Sequence, residues 1–253
     1  MSTATAQPAR HIELERAFNF RDMGGYPTSD GRVTRWQTLY RADGIHRISE
    51  ADVLTLEPLG LRTVIDLRTP NEITEHGRFP LEAYAVDYHH HPVLDVVWSP
   101  EQIEALGDSP TFLVDRYREM LVIGEGALGR SLRLLAESDT YPAVFHCAAG
   151  KDRTGILAAL VLSLVGVPDE VIADDYALSR EGVARMIEWA IENMPEARER
   201  MSKAPSSMME AEPESILALL DHIRADHGTV EQYVGTLGVE PEHIERLRAV
   251  LVS

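Results

Sequence analysis

Two short apolar runs rich in β-branched and aromatic residues, RTVIDL at 62–67 and PAVFH at 142–146, read as buried strands. Weaker strand signals lie at 38–41 and 83–88; the first follows the segment NFRDMGGY at 19–26 and the turn residues Pro27 to Gly31. Helical periodicity covers 49–59, opened by Ser49 as N-cap with Asp52 three residues on, and then 111–122 and 127–137. The run TGILAALVLSLV at 154–165 is apolar on every side yet too short to cross a bilayer, so it reads as a buried helix leaving the PAVFH strand. From Pro168 onward the pattern is almost wholly helical, broken by Pro195, Pro205, Pro213 and the turns at Gly228 and Gly238. Strands alternating with helices, then a run of helices, predict an α/β sheet with an enlarged helical C-terminal part. This is one domain over 11–253 behind a small polar tail at 1–10, expected to be disordered.

Composition narrows the classes of function. With 253 residues and 44% hydrophobic content the chain can bury a sizeable core. A formal net charge of −17 argues against nucleic acid as a partner and against adhesion to an anionic membrane by bulk charge. Neither a signal peptide nor a run of about 18 apolar residues is legible, so no integral membrane segment is expected and the default location is cytoplasmic. The single cysteine, Cys147, rules out an intramolecular disulfide and a multi-cysteine metal site. It is either a buried bystander or a reactive thiol. In the run His89, His90, His91 only the first and third share a face of an extended segment, and no partnering cluster accompanies them, so no metal is expected.

The informative string is HCAAGKDRTG at 146–155, set between an apolar strand and an apolar helix. In such a turn successive backbone N–H groups can face one concavity, and the helix N-terminus adds a partial positive charge. Gly150 lets the backbone approach an anion, and Arg153 offers a planar fork to two phosphoryl oxygens. The same groups favour a thiolate, so Cys147 is expected to titrate below the ordinary thiol value of about 8.5. Thr154 is placed to donate its hydroxyl to the sulfur.

These ten residues resemble the signature of the protein tyrosine phosphatase superfamily: cysteine, five residues, arginine, then threonine or serine. The Gly-Lys-Asp-Arg-Thr-Gly wording is similar to that of the bacterial and fungal tyrosine phosphatase family. NFRDMGGY, IDLRTPNE at 65–72 and ADDYALS at 173–179 look like further landmarks of that family, so the resemblance spans most of the chain.

The resemblance implies the cysteine phosphatase fold, a mainly parallel central sheet flanked by helices. It also implies hydrolysis of phosphotyrosine, with phosphoserine, phosphothreonine or phosphoinositides as further substrates, through a cysteinyl-phosphate and without metal or cofactor. His146, Ala148, Ala149, Gly150, Lys151 and Thr154 would line the phosphate site, His146 by fixing the loop. The Trp-Pro-Asp acid loop of better-known tyrosine phosphatases is absent from this sequence. The candidate proton donors rank Asp152, Asp66 and Asp95. Asp66 also reads as a structural partner of Arg68 or a holder of the loop arginine. Lys151 reads as a rim charge, a feature shared with phosphoinositide phosphatases, or as a solvated surface charge. Two alternatives stay open: an enzyme specialised for phosphoinositides or inositol phosphates, and a phosphate-binding regulatory module of weak catalytic power. Where the family carries a helical cover over its active site, this chain has the Met-rich stretch 178–211.

Overall fold

The computed structural model of the protein describes residues 8–96, 112–194 and 210–253. Five strands form one sheet: β1 (Arg21–Asp22), β2 (Leu39–Ala42), β3 (Thr63–Asp66), β4 (Asp87–His90) and β5 (Ala143–His146). Their spatial order is β1-β2-β5-β3-β4, with β1 antiparallel to β2 and every other pair parallel. In register, Ala42, His146 and Asp66 stand side by side across β2, β5 and β3. The three loops that leave these strands therefore start at the same level around the C-terminal end of β5. That is where a ligand site belongs in an open parallel sheet.

Strand alternation divides the core. Leu39, Ile65, Ala143 and Phe145 face one apolar cluster, while Tyr40, Val64 and Val144 face the other. The first cluster is built around helix α5 (Asp152–Leu164), which packs on β2 and β5 and against helices on its other sides. Those neighbours are α3 (Phe112–Ile123), α6 (Asp169–Ala177), α8 (Pro213–His227), α9 (Val230–Thr236) and α10 (Pro241–Leu251). Being enclosed on all sides is the reason its sequence has no polar stripe. The remaining helices are α1 (Glu50–Leu56), α2 (Pro70–His76), α4 (Glu125–Leu135) and α7 (Ser179–Asn193).

Local signals explain most boundaries. Ser49 Oγ accepts from Asp52 N at 3.1 Å and Asp52 Oδ2 accepts from Ser49 N at 3.0 Å, the reciprocal capping box expected at the start of α1. That helix tightens at 57–59 into a 3₁₀ turn, because Pro58 has no N–H to continue the α pattern. The strand expected at 83–88 lies later, at Asp87–His90. Ala83 N and Tyr84 N both donate to Pro80 O, at 3.0 and 3.1 Å, so this stretch is a turn. Tyr84 and Val86 pack on the core without a ladder partner.

Two further expectations meet the structure in part. Residues 1–7 of the tail lie outside the described residues, but Arg10 at its end is anchored, with its guanidinium 3.9 Å from the Tyr26 ring centre and Nη1 2.7 Å from Asp22 O. Of the stretch 178–211, helix α7 sets Trp189 against Phe18 with ring centres 6.1 Å apart, while 195–209, including Met201, Met208 and Met209, lie outside the described residues. Among the described residues no helix is long and apolar enough to cross a membrane.

Because α5 is the helix on which the sheet and five other helices converge, truncating it is costly. Leu160→Ala, at a fully buried position, should lower the unfolding free energy by about 3 kcal/mol in urea titrations; a loss below about 1 kcal/mol would contradict this packing.

Candidate active site

Cys147 follows the last residue of β5 and is 1% exposed. Beyond it three successive carbonyls of the loop are claimed from outside. Ala148 O accepts from Gly44 N at 2.9 Å, and Ala149 O from Asn19 Nδ2 at 3.0 Å. Gly150 O accepts from the same amide at 3.2 Å and from Arg41 Nη2 at 2.8 Å. In a trans peptide the C=O and the next N–H point to opposite sides. Turning these three carbonyls outward therefore turns the N–H groups of Ala149, Gly150 and Lys151 toward the loop's interior. Gly150 is required twice over: its φ is +65°, and a Cβ there would lie 2.6 Å from Ala42 C, Ala42 O and Asp43 N.

The groups that hold the loop form one buried network. Asp175 on α6 accepts from Arg21 Nε at 3.0 Å and Tyr26 OH at 2.7 Å through Oδ1, and from Arg41 Nη1 at 2.5 Å through Oδ2. Burial opposes the charge on Asp175, but the two guanidiniums outweigh burial and hold its carboxyl well below the ordinary range. Arg21 also donates to Asp175 O at 2.8 Å, to Ser179 Oγ at 3.1 Å and to Asn19 Oδ1. Asp43, just past β2, fixes the backbone before Asn19 by accepting from Phe18 N at 2.9 Å and Asn19 N at 3.0 Å. Arg47 Nη2 donates to Asp43 Oδ2 at 2.8 Å, so three guanidiniums stand against two carboxylates and leave a positive excess behind the loop, suited to an anion in front of it.

Arg153, in the first turn of α5, donates to both oxygens of Glu72, from Nη1 at 2.5 Å and from Nη2 at 3.0 Å. Burial alone would lower its affinity for a proton; the Cys147 sulfur and Glu72 reverse this and raise it above the ordinary guanidinium value. Glu72 itself is the reciprocal member of the capping box at α2, accepting from Thr69 N at 2.8 Å. Burial opposes its charge too, yet Arg153 and Thr69 hold its carboxyl down at about 2. It is therefore ionised at any ordinary pH, and the fork pair that orients Arg153 persists.

The candidate acids occupy unlike settings. Asp66, at the end of β3, is wholly buried and accepts from Arg68 Nε and Nη2 at 3.0 and 2.6 Å and from Tyr88 OH at 2.8 Å, with His146 Nε2 3.4 Å away. Burial opposes its charge, and against burial the His146 ring and Arg68 keep it well below the carboxylate range. Asp152 is the first residue of α5, with a side chain 29% exposed; its Oδ1 accepts from Tyr117 OH at 2.7 Å and lies 3.4 Å from Lys151 Nζ. Asp95 is exposed on the segment following β4. His146 is wholly buried, with Nδ1 3.3 Å from Cys147 O. Thr154 Oγ1 is buried with no protein partner among the described residues.

Lys151 departs from both readings of the sequence. It is neither a solvated charge nor a group displayed at the rim: the residue is 1% exposed and Nζ donates to Glu210 O at 2.8 Å. The structure thus gathers Cys147, Asp152, Arg153 and the loop amides on one turn, and sets Asp66 and His146 beneath it. Sequence reasoning passed over Glu72, Asn19, Arg41, Asp175 and Tyr117. Three of these lie inside the segments NFRDMGGY, IDLRTPNE and ADDYALS, whose wording was the available signal.

The chain is similar to known proteins over most of its length. The triple specificity protein phosphatase PtpB of Mycobacterium tuberculosis is 28% identical over 282 aligned positions, covering 95% of this chain and 99% of its own. A tyrosine-protein phosphatase of Nostoc commune is 27% identical over 225 positions, covering 83% and 73%. Among solved structures, the Siw14 catalytic core superposes with a TM-score of 0.40 at 14% identity, covering 86% of this chain and 96% of its own. The sequence model of the tyrosine phosphatase family matches residues 12–253, and the chain belongs to that family.

Proposed function

We propose that the protein hydrolyses phosphotyrosine through a cysteinyl-phosphate formed on Cys147, with phosphoserine and phosphothreonine as further substrates. The observation that carries this reading is the outward turn of the three loop carbonyls, which leaves a ring of amides between Cys147 and Arg153. A phosphoryl group seated there would receive the N–H groups of Ala149, Gly150 and Lys151 on its oxygens. It would also meet the edge of Arg153 that Glu72 leaves unused, namely Nε–H and the Nη2 hydrogen beside it.

In the first step Cys147 Sγ attacks phosphorus, the bond to the ester oxygen breaks, and that oxygen takes the proton of Asp152. In the second, water attacks the cysteinyl-phosphate, its proton returns to Asp152, and Sγ departs. Asp152 suits this duty by being part-exposed at the loop's edge, whereas Asp66 is committed as an ionised partner of Arg68 and has no proton to give. The role we assign to Asp66 is to seat His146 and the end of β5. Thr154, with its hydroxyl buried and unclaimed, is assigned to the sulfur in the second step.

For the lipid-directed alternative the sequence offered Lys151 as a rim charge, and its burial on Glu210 O removes that support. The triple specificity in the name of the mycobacterial relative supports substrates beyond phosphotyrosine.

Aryl phosphate hydrolysis in the presence of chelator tests the mechanism: Cys147→Ser should abolish it, and surviving turnover would overturn the account. Asp152→Asn should lower kcat/KM by on the order of a hundred-fold for phenyl phosphate and only a few-fold for 2,4-dinitrophenyl phosphate, whose leaving group needs no proton. Equal losses on the two esters would remove Asp152 from the acid role. Glu72→Gln should weaken competitive inhibition by orthophosphate roughly ten-fold as Arg153 loses its fixed orientation; an unchanged inhibition constant would show that Arg153 is held by other means.

A further inference from the structure

We propose that Tyr117 is a positioning residue for Asp152, holding Oδ1 as a permanent acceptor so that Oδ2 is the oxygen that carries the transferable proton. The inference rests on the assignment of Asp152 as general acid and adds the device that aims it.

The case begins with counting hydrogens. Tyr117 OH lies 2.7 Å from Asp152 Oδ1 and 2.5 Å from Tyr176 OH. A phenol has one hydrogen to give. If Tyr117 gives its hydrogen to Asp152, Tyr176 must give its own to Tyr117. The chain then has a single direction: Tyr176 to Tyr117 to Asp152. Both phenols are wholly or nearly wholly buried, and burial, followed by the nearby charge of Asp152, pushes their titration far above neutral pH. Each hydrogen therefore stays on its phenol, and the direction of the chain is stable.

Oδ1 is further committed by Lys151 Nζ at 3.4 Å. A proton arriving on Asp152 is thus excluded from Oδ1, where it would confront the Tyr117 hydrogen and the ammonium together. Among the described residues, the other charged groups acting on these three side chains are Arg153 on Asp152 and, on Tyr176, Arg41 and Glu212. None of these supplies a hydrogen bond to Oδ1.

The surrounding packing preserves this geometry. The two tyrosines come from α3 and α6, their rings meet edge to face at 6.3 Å and 79°, and together they close the side of α5 that carries Asp152. Gly155, the last residue of the motif, makes room for Tyr176: a Cβ there would stand 3.0 Å from Tyr176 Cδ2. Tyr176 also directly follows Asp175, so one turn of α6 both anchors Arg21 and Arg41 behind the loop and supports the acid.

The test compares kcat/KM for phenyl phosphate, a poor leaving group, with that for 2,4-dinitrophenyl phosphate, in wild type, Tyr117→Phe, Tyr176→Phe and Asp152→Asn. Tyr117→Phe is expected to lower the phenyl phosphate value on the order of ten-fold and to leave the dinitrophenyl value within about two-fold. Tyr176→Phe, which removes only the outer donor, is expected to shift the same ratio in the same direction by less; it also keeps the test available if Tyr117→Phe fails to fold. A ratio that moves in Asp152→Asn and in neither tyrosine variant overturns the inference alone. Equal losses on both esters in the tyrosine variants also overturn it, since damage to the fold does not discriminate between leaving groups. A ratio unmoved in Asp152→Asn removes the acid assignment, and this inference with it.

Discussion

The site depends on one buried carboxylate. Asp175 sits between Arg21 and Arg41, all three at most 2% exposed, and Arg41 passes the restraint on to Gly150 O. Burying such charges costs several kcal/mol each unless they are paired and fully hydrogen-bonded, so a network of this kind is a weak source of stability. What it supplies is geometry. Three of the loop's carbonyls have fixed partners on their outer side, so the amides that follow them are committed to the inner side, and under the proposed function an anion would meet them without reorganisation.

A second network holds the loop from the other flank. β5 lies between β2 and β3, and β3 ends in Asp66, which is locked by Arg68 and Tyr88 and lies against His146. Past Arg68, the capping box of α2 delivers Glu72 to Arg153. The cysteine loop is thus clamped between two sets of buried ion pairs, one fixing peptide planes and the other fixing the arginine. The chain's net charge of −17 leaves this local field intact, because the positive groups are close to the loop and shielded from solvent.

Much of this frame is legible from short-range pattern. The strands at β3 and β5, the all-apolar helix α5 and the Ser49–Asp52 capping box follow from periodicity and from residues three apart. The string from His146 to Gly155 marks the candidate site for the same reason: its members lie together on a single turn. The partners that orient them are far away in sequence. Asp175 lies 134 residues from Arg41, and Glu72 lies 81 from Arg153, where its capping role conceals the second one. Lys151 was misread because a lysine is nearly always solvated, and nothing local in the sequence announces the carbonyl of Glu210, 59 residues on. The strand at 83–88 was placed early because apolar alternation marks burial, while a strand also needs a ladder partner, which begins at Asp87.

The claim that the outer hydrogen bonds make the phosphate cradle is tested most directly by orthophosphate binding to Arg41→Lys, measured by titration calorimetry on protein that unfolds as cooperatively as wild type. Lysine keeps the charge but cannot reach Asp175 and Gly150 O together as the guanidinium does. The expected result is affinity weakened on the order of ten-fold with the positive field unchanged. Wild-type affinity in the folded variant would contradict the account.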